Sequence, residues 1–365
     1  MQEIRHGAPL SAFHAALGRK NVKIGFLGGS ITAGSKNVGG NPDNWPSFLM
    51  GGLTEKYPEV LWESYNAGIG GTGSLSGLMR AEKEVIAPKC DVVFVEYAVN
   101  DFFEEQEPYR RAREGLVRKL RKAGIDVVFL YTFRVDMHAD MAAGKMPRII
   151  EEMETLAKHY GIGSVWAGLH AYRAVCNGRL TWEQWLPVSG GTIHPEAAGS
   201  ALYAETALRF LAEEVERGGG ENLPLPAPLN SKNYENISAV LRENWSVAPP
   251  WQIRRELKYP WFDTAVFTAA DGAALKVRFF GRTLAAHIDF GKRHGVLKYR
   301  IDGGEERVFE GPRYDWVPDC DWCIPVLLAD DLPLGEHVLE LSTHFVDMPQ
   351  CKGSECTIYT FMSVR

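Results

Sequence analysis

The chain has 365 residues, and this length favours two domains. With 45% hydrophobic and 24% charged residues, the composition is that of a soluble globular protein with a large core. The net charge of −6 gives no reason to expect binding to nucleic acid or to an anionic membrane. No segment approaches the roughly 18 apolar residues of a membrane span, and residues 1–7 lack the apolar region of a signal peptide. We therefore expect a cytoplasmic protein.

The first part of the chain alternates short apolar strands with amphipathic helices. Strands are predicted at 22–27, 61–66, 91–98, 125–133 and 162–166. Helices are predicted at 45–56, 75–86, 107–123 and 147–159, and a last helix follows His194 and ends near 217. Helices between strands rich in Val, Ile and Phe predict βαβ units and a parallel sheet with both faces covered. The expected fold class is therefore α/β over residues 1–217.

The pattern changes after residue 217. Residues 218–234 are rich in Gly and Pro and are predicted as a linker. Residues 235–365 contain short alternating segments separated by Gly, Asp and Pro, which predict an antiparallel β-sandwich. Among these segments, 284–289 and 296–301 are interpreted as a strand pair, and Asp302-Gly303-Gly304 is typical of a hairpin turn.

Four loops of the first domain carry residues with complementary chemistry. Ser30 follows two glycines at the end of the first predicted strand, where open α/β sheets place their reactive groups. The glycine-rich run 66–71 can bring a backbone N–H close to a carbonyl oxygen, and the amide of Asn100 can donate a second hydrogen bond. His194 offers an imidazole that can accept the serine proton. Each loop alone is also typical of an ordinary turn.

Taken in order, these residues resemble the blocks of the SGNH, or GDSL-type, hydrolase superfamily. Ser30, Gly71, Asn100 and His194 fall on the serine, glycine, asparagine and histidine of those blocks, and the likeness covers residues 20 to about 215. The resemblance implies a three-layer α/β domain and a serine esterase that needs no cofactor and no metal. It implies Ser30 as nucleophile, His194 as base, and an oxyanion hole formed by the Ser30 and Gly71 N–H groups with the Asn100 amide.

Three positions depart from the superfamily pattern. Gly29 replaces an Asp, Ala98 replaces a Gly, and Gly191 stands three residues before His194, where the Asp that orients the histidine is expected. The last departure matters because neutralising the orienting carboxylate costs roughly 10,000-fold in a serine protease.

Three explanations of Gly191 stay open. A main-chain carbonyl near Gly191 can orient the imidazole, another carboxylate such as Glu183 or Asp101 can do so, or the substitution inactivates the enzyme.

The predicted sandwich carries aromatic residues suited to sugars. Tyr314, Trp316 and Trp322 alternate with acidic residues in a Pro-containing loop, which favours stacking on a sugar ring, and Trp45 is a further predicted substrate contact. The layout resembles two-domain carbohydrate O-acetyl esterases that deacetylate manno-oligosaccharides, in which the sandwich is carbohydrate-binding-like with a jelly-roll fold. This resemblance implies an acetylated hemicellulose oligosaccharide as substrate. The alternatives are a general short-chain carboxylesterase and a catalytically silent carbohydrate-binding protein.

Four cysteines lie near the end of the chain, namely Cys320, Cys323, Cys351 and Cys356. Their short spacings permit a structural zinc site, but free thiols are the favoured interpretation in a reducing compartment. A homo-oligomer stays an open alternative.

Overall fold

The structure is a computed structural model of the chain. It describes residues 1–365 except 35–42, 105, 189–190, 192, 222, 260, 314–321 and 349. The chain divides into two compact units, Met1–Glu235 and Asn236–Arg365.

The first unit is an α/β domain built on one six-stranded sheet. Its strands are β1 (Ile4–Arg5), β2 (Asn21–Gly28), β3 (Leu61–Asn66), β4 (Val92–Glu96), β5 (Asp126–Leu130) and β6 (Gly163–Val165). They lie in the order β1-β6-β5-β4-β2-β3, and every pair is parallel except β1 with β6. All five residues of β4 and of β5 are buried, so both faces of the sheet are covered there. The predicted α/β class is confirmed.

In the described part of this unit, ten α-helices connect and cover the strands. Their bounds are α1 (Ser11–Gly18), α2 (Ser30–Ala33), α3 (Trp45–Lys56), α4 (Ser74–Ala81), α5 (Gln106–Lys122), α6 (His138–Ala142), α7 (Arg148–Tyr160), α8 (Ala167–Cys176), α9 (Trp182–Trp185) and α10 (Ala197–Arg217). A π-helical turn, Glu82–Ile86, extends α4. Helix α3 begins where the side chain of Asn44 accepts a hydrogen bond from the Ser47 N–H, and α7 ends at Gly161 with a φ of +64°.

The segment after α10 packs against the first unit. Glu114 of α5 accepts hydrogen bonds from the backbone N–H groups of Leu229 and Asn230, and Arg118 donates to the Pro226 carbonyl at 2.7 Å. Charged side chains of α5 thus bind polar backbone groups within the segment that is predicted as a linker.

The second unit consists of two antiparallel sheets. Its strands are β7 (Ile237–Ala239), β8 (Trp245–Ser246), β9 (Gln252–Arg255), β10 (Thr264–Thr268), β11 (Ala274–Gly281), β12 (Thr283–Asp289), β13 (Val296–Ile301), β14 (Arg307–Phe309), β15 (Cys323–Ala329), β16 (Gly335–His344) and β17 (Cys356–Val364). One sheet has the order β15-β12-β17-β10-β9 with β7 on β17, and the other has the order β14-β13-β16-β11-β8. Side chains from both sheets form a common core, as the predicted β-sandwich requires.

The hairpin turn at 302–304 is present, but one predicted strand pair is wrong. Asp302 and Gly303 both have positive φ, +53° and +66°, and they lie between the paired strands β13 and β14. In contrast, β12 pairs with β15 and β17 whereas β13 pairs with β14 and β16, so the connection at 290–295 passes from one sheet to the other. Alternating apolar residues show that a strand faces the core, but they do not identify its partner.

Candidate active site

Ser30 lies at the carboxyl end of β2, on the first turn of α2. Its Oγ is 2.7 Å from Nε2 of His194, in the loop before α10, and both side chains are half-buried. This is the distance at which an imidazole can take the proton of an attacking hydroxyl. The structure thus brings together two residues that are 164 positions apart in the chain.

The other two loops of the predicted site lie against the same turn. A Cβ atom added to Gly29 would be 2.0 Å from Oδ1 of Asn100, and one added to Gly70 would be 3.8 Å from Cβ of Ser30. Gly71 is exposed and has a φ of +70°, a conformation that favours glycine. Because β3, β2 and β4 are neighbours in the sheet, the loops after their carboxyl ends converge beside Ser30.

A buried carboxyl group lies beneath the turn. Glu96, the last residue of β4, is completely buried and accepts hydrogen bonds from the hydroxyls of Thr32 and Thr132 at 3.0 and 2.7 Å. The Gly29 N–H donates to it as well. Burial outweighs these hydrogen bonds and raises the pKa of Glu96 to about 7. The sequence does not predict the role of Glu96, because a carboxylate at the end of a strand can equally face solvent.

Asp101 is bound by residues of α4 and α5. It is completely buried, and its two oxygens accept hydrogen bonds from the Ser74 N–H at 2.9 Å and from Arg113 at 3.0 Å. These contacts join the start of α4 to α5, which disfavours Asp101 as the partner of His194. Glu183, the other carboxylate considered from the sequence, is exposed in α9.

Gly191 is an exposed turn residue with a φ of +69°. Its N–H donates to the carbonyl of Val188 at 3.0 Å, and a Cβ added here would meet no atom of the described residues within 4 Å. A pocket of about 60 Å³ beside Ser30 and His194 is lined also by Asp43 and Glu196. These two carboxylates, which the sequence reasoning did not select, therefore border the same pocket as the serine and the histidine.

The residues predicted to contact a sugar lie in different environments. Trp45 is completely buried, packs edge-on against Phe26 and Phe94, and donates its indole N–H to Thr32 at 3.3 Å. Its prediction as a substrate contact is wrong, because the ring fills the core behind the Ser30 turn. Trp322 is half-buried against the core of the second unit. Tyr314 and Trp316 lie outside the described residues.

Three of the four cysteines near the end of the chain, Cys323, Cys351 and Cys356, are buried, and Cys320 lies outside the described residues. No cluster of His, Cys, Asp and Glu in the described part of the chain is arranged to hold a metal ion. Among the described helices, none combines the length and apolar character needed to cross a membrane.

A family model matches most of the first unit. Residues 26–202 match the GDSL-like Lipase/Acylhydrolase family. No curated protein matches the chain in sequence.

Two solved structures of a two-domain esterase (CEX) active on acetylated mannans are similar to the whole chain. The one co-crystallized with mannopentaose has a TM-score of 0.81 at 22% identity, over 98% of this chain and 95% of that one. The second has a TM-score of 0.81 at 21% identity, over 99% and 97%. At this identity the likeness shows the fold. Residues 26–202 are thus similar to the GDSL-like Lipase/Acylhydrolase family, and the whole chain shares the two-domain fold of that esterase.

Proposed function

We propose that this protein is a serine esterase that removes O-acetyl groups from hemicellulose-derived oligosaccharides, with acetylated manno-oligosaccharides as the first substrate class. The observation that carries the proposal is the 2.7 Å contact between Ser30 Oγ and His194 Nε2 at the point where three loops converge. The family match over 26–202 supports ester hydrolysis as the reaction class.

In the proposed reaction the imidazole of His194 takes the proton of Ser30 as Oγ attacks the carbonyl carbon of the acetyl group. The N–H groups of Ser30 and Gly71 and the amide of Asn100 donate to the oxyanion that forms, and each such donor is worth about 100- to 1,000-fold in rate. The protonated imidazole then gives its proton to the departing sugar oxygen. Water, activated by His194, releases acetate and restores the serine.

Position 191 supplies no carboxylate to this reaction. We propose that the esterase works without an Asp there, with a main-chain carbonyl near Gly191, or one of the carboxylates that border the pocket, orienting the imidazole. Asp43 and Glu196 are the two carboxylates in that position.

The substrate class rests on the second unit and on the shared fold. The similar two-domain esterase acts on acetylated mannans and was crystallized with mannopentaose. We propose that Trp322, with Tyr314 and Trp316 nearby in the sequence, contributes stacking contacts to the sugar rings. A catalytically silent carbohydrate-binding protein is the second candidate, and Gly191 is the residue that favours it.

Acetate release separates these functions. We expect the wild-type chain to release acetate from acetylated manno-oligosaccharides and the Ser30→Ala variant to lose at least about 1,000-fold in kcat, since the nucleophile is gone. Ser47→Ala, an exposed serine on α3, is the matched control and should keep full activity. If the wild type releases no acetate, the esterase proposal fails. If Ser30→Ala stays active, the site is elsewhere.

A further inference from the structure

Glu96 is unusual because its charged group is buried directly beneath the Ser30 turn. It ends β4 in register with Gly28 of the parallel strand β2, two residues before Ser30. Burying a carboxyl group costs several kcal/mol unless hydrogen bonds compensate. An apolar side chain would fill the same space at lower cost, so the role of Glu96 must lie in its hydrogen bonds.

The hydrogen bonds of Glu96 reach residues on both sides of Ser30 in the chain. The Gly29 N–H donates to Glu96 from the residue before Ser30, and the Thr32 hydroxyl donates at 3.0 Å from two residues after it. The Thr132 hydroxyl, just beyond the end of β5, holds the other carboxyl oxygen at 2.7 Å. Glu96 therefore links both sides of Ser30 to β4 and to the segment that follows β5.

The surrounding residues leave this arrangement little freedom. A Cβ added to Gly28 would lie 2.2 Å from Thr32 Oγ1 and 3.0 Å from Glu96 Oε2, so the hydroxyl and the carboxyl group occupy the space of a missing side chain. The indole N–H of Trp45 donates to Thr32 Oγ1. Because Trp45 can only donate, it favours the orientation in which the Thr32 hydroxyl gives its own proton to Glu96.

On the basis of the proposed function, we propose that Glu96 is a positioning residue that sets the direction of the Ser30 hydroxyl by binding Gly29 and Thr32 on either side of it. It touches neither the substrate nor the reacting atoms. Its contribution should therefore appear in kcat rather than in KM, because a nucleophile displaced by about 1 Å can lose about 100-fold in rate while the sugar contacts stay in place.

Glu96→Gln tests this role and Glu114→Gln is its control. The Gln side chain keeps the volume but replaces one acceptor oxygen with a donor. Glu114 is also buried and also accepts three hydrogen bonds, from the Tyr160 hydroxyl and from two backbone N–H groups, but it lies on α5 under the 218–234 segment. For an aryl acetate we expect Glu96→Gln to lower kcat by about 10- to 100-fold with KM within about threefold. Glu114→Gln should keep kcat within about twofold despite a similar fall in Tm.

A second measurement follows Ser30 without turnover. A fluorophosphonate forms a phosphorus–oxygen bond with Ser30 Oγ while fluoride leaves and the serine proton passes to His194, and mass spectrometry gives the rate. We expect slower labelling in Glu96→Gln than in the wild type and in Glu114→Gln. If Glu96→Gln does not fold, Thr132→Val, which removes one donor to Glu96 outside the turn, should show the same change to a smaller degree.

The outcomes separate the two proposals. Equal labelling rates and equal kcat in Glu96→Gln and Glu114→Gln would overturn the role of Glu96 alone. Normal labelling of Ser30 without acetate release would overturn the esterase proposal alone. Failure of wild-type Ser30 to react at all would overturn both.

Discussion

Gly191 has two properties that bear on catalysis at the scale of a single residue. Its φ of +69° lies in the left-handed region, and a Cβ added to it would meet no atom of the described residues within 4 Å. A side chain here is therefore opposed by the backbone and not by the described residues around it. Asp and Asn tolerate this conformation better than most residues, at a cost of about 1 kcal/mol.

We expect Gly191→Asp to fold and to raise kcat for acetyl ester hydrolysis by at least about tenfold. A carboxylate at this position would fix the imidazole tautomer and stabilise the imidazolium that forms during attack. Steady-state kinetics on an aryl acetate gives the answer. Gly191→Ala, which carries the same backbone strain without the carboxylate, should show no gain, and equal kcat in the two variants would contradict the expectation.

Ser30 and His194, two of the predicted site residues, lie in contact, and there is a physical reason why the sequence can indicate them. Strand ends and glycine turns can be recognised from a few neighbouring residues. The order of Ser30, Gly71, Asn100 and His194 along the chain then supports one interpretation at four separate positions. Trp45 and Glu96 show the limit of such patterns. An aromatic ring at a helix start and a carboxylate at a strand end have the same appearance in sequence whether they face solvent or the core.

At the scale of elements, α4 and its π-helical turn hold the glycine-rich loop in place. Arg80 is buried and donates two hydrogen bonds to the carbonyl of Ala67, at 3.2 and 3.1 Å, and it also pairs with Glu84 of the π-helical turn. Burial raises the pKa of Glu84 above its usual value even beside Arg80. The Arg80–Glu84 pair therefore supports the loop, and either residue alone would leave a buried charge without its partner.

We expect Arg80→Leu to lower the free energy of unfolding by about 3–5 kcal/mol, because Glu84 would be buried without its partner. The double variant Arg80→Leu/Glu84→Leu should regain at least about 2 kcal/mol, since the uncompensated carboxylate is removed while the Ala67 carbonyl stays unsatisfied. Urea unfolding measures both values. A double variant no more stable than Arg80→Leu would show that the lost Ala67 contacts dominate.

The predicted bounds of two elements match the structure, and those of a third do not. The predicted helix 45–56 and strand 61–66 match α3 and β3, whereas the strand predicted at 91–98 ends at Glu96. Ala98 and Val99 are buried and apolar, so the sequence continues the strand pattern after the sheet has ended. The short helices α2, α6 and α9 have too few turns to show a helical period.

At the scale of the first unit, Glu3 binds α8 and α10, two helices that are distant from it in the sequence. Its carboxylate accepts hydrogen bonds from His170 and Arg173 of α8 and from Arg209 of α10. Burial alone would raise its pKa, but these partners outweigh burial and lower the pKa of Glu3 to about 2. The ionised form is thus favoured in the folded chain, and β1 is held beside β6.

We expect Glu3→Gln to lower Tm by about 2–4 °C at pH 7, which corresponds to about 1 kcal/mol for a partly exposed network. A lowered pKa contributes stability that is present above the ordinary value of 4.5 and is lost as the pH falls toward 2. The difference in Tm between the wild type and Glu3→Gln should therefore shrink as the pH is lowered from 7 to 4. The exposed residue Glu55 supplies the control, since Glu55→Gln should leave Tm unchanged at each pH. A difference that is constant or grows on acidification would contradict the assignment.

The close approach of Asn100 to Gly29 has a consequence for how such a sequence can evolve. Any side chain at position 29 would begin with a Cβ atom 2.0 Å from Oδ1 of Asn100, so the Asn100 side chain has to move when position 29 is substituted. The two positions are therefore coupled. A lineage that exchanges Gly29 also changes the place of the amide that is proposed to bind the oxyanion.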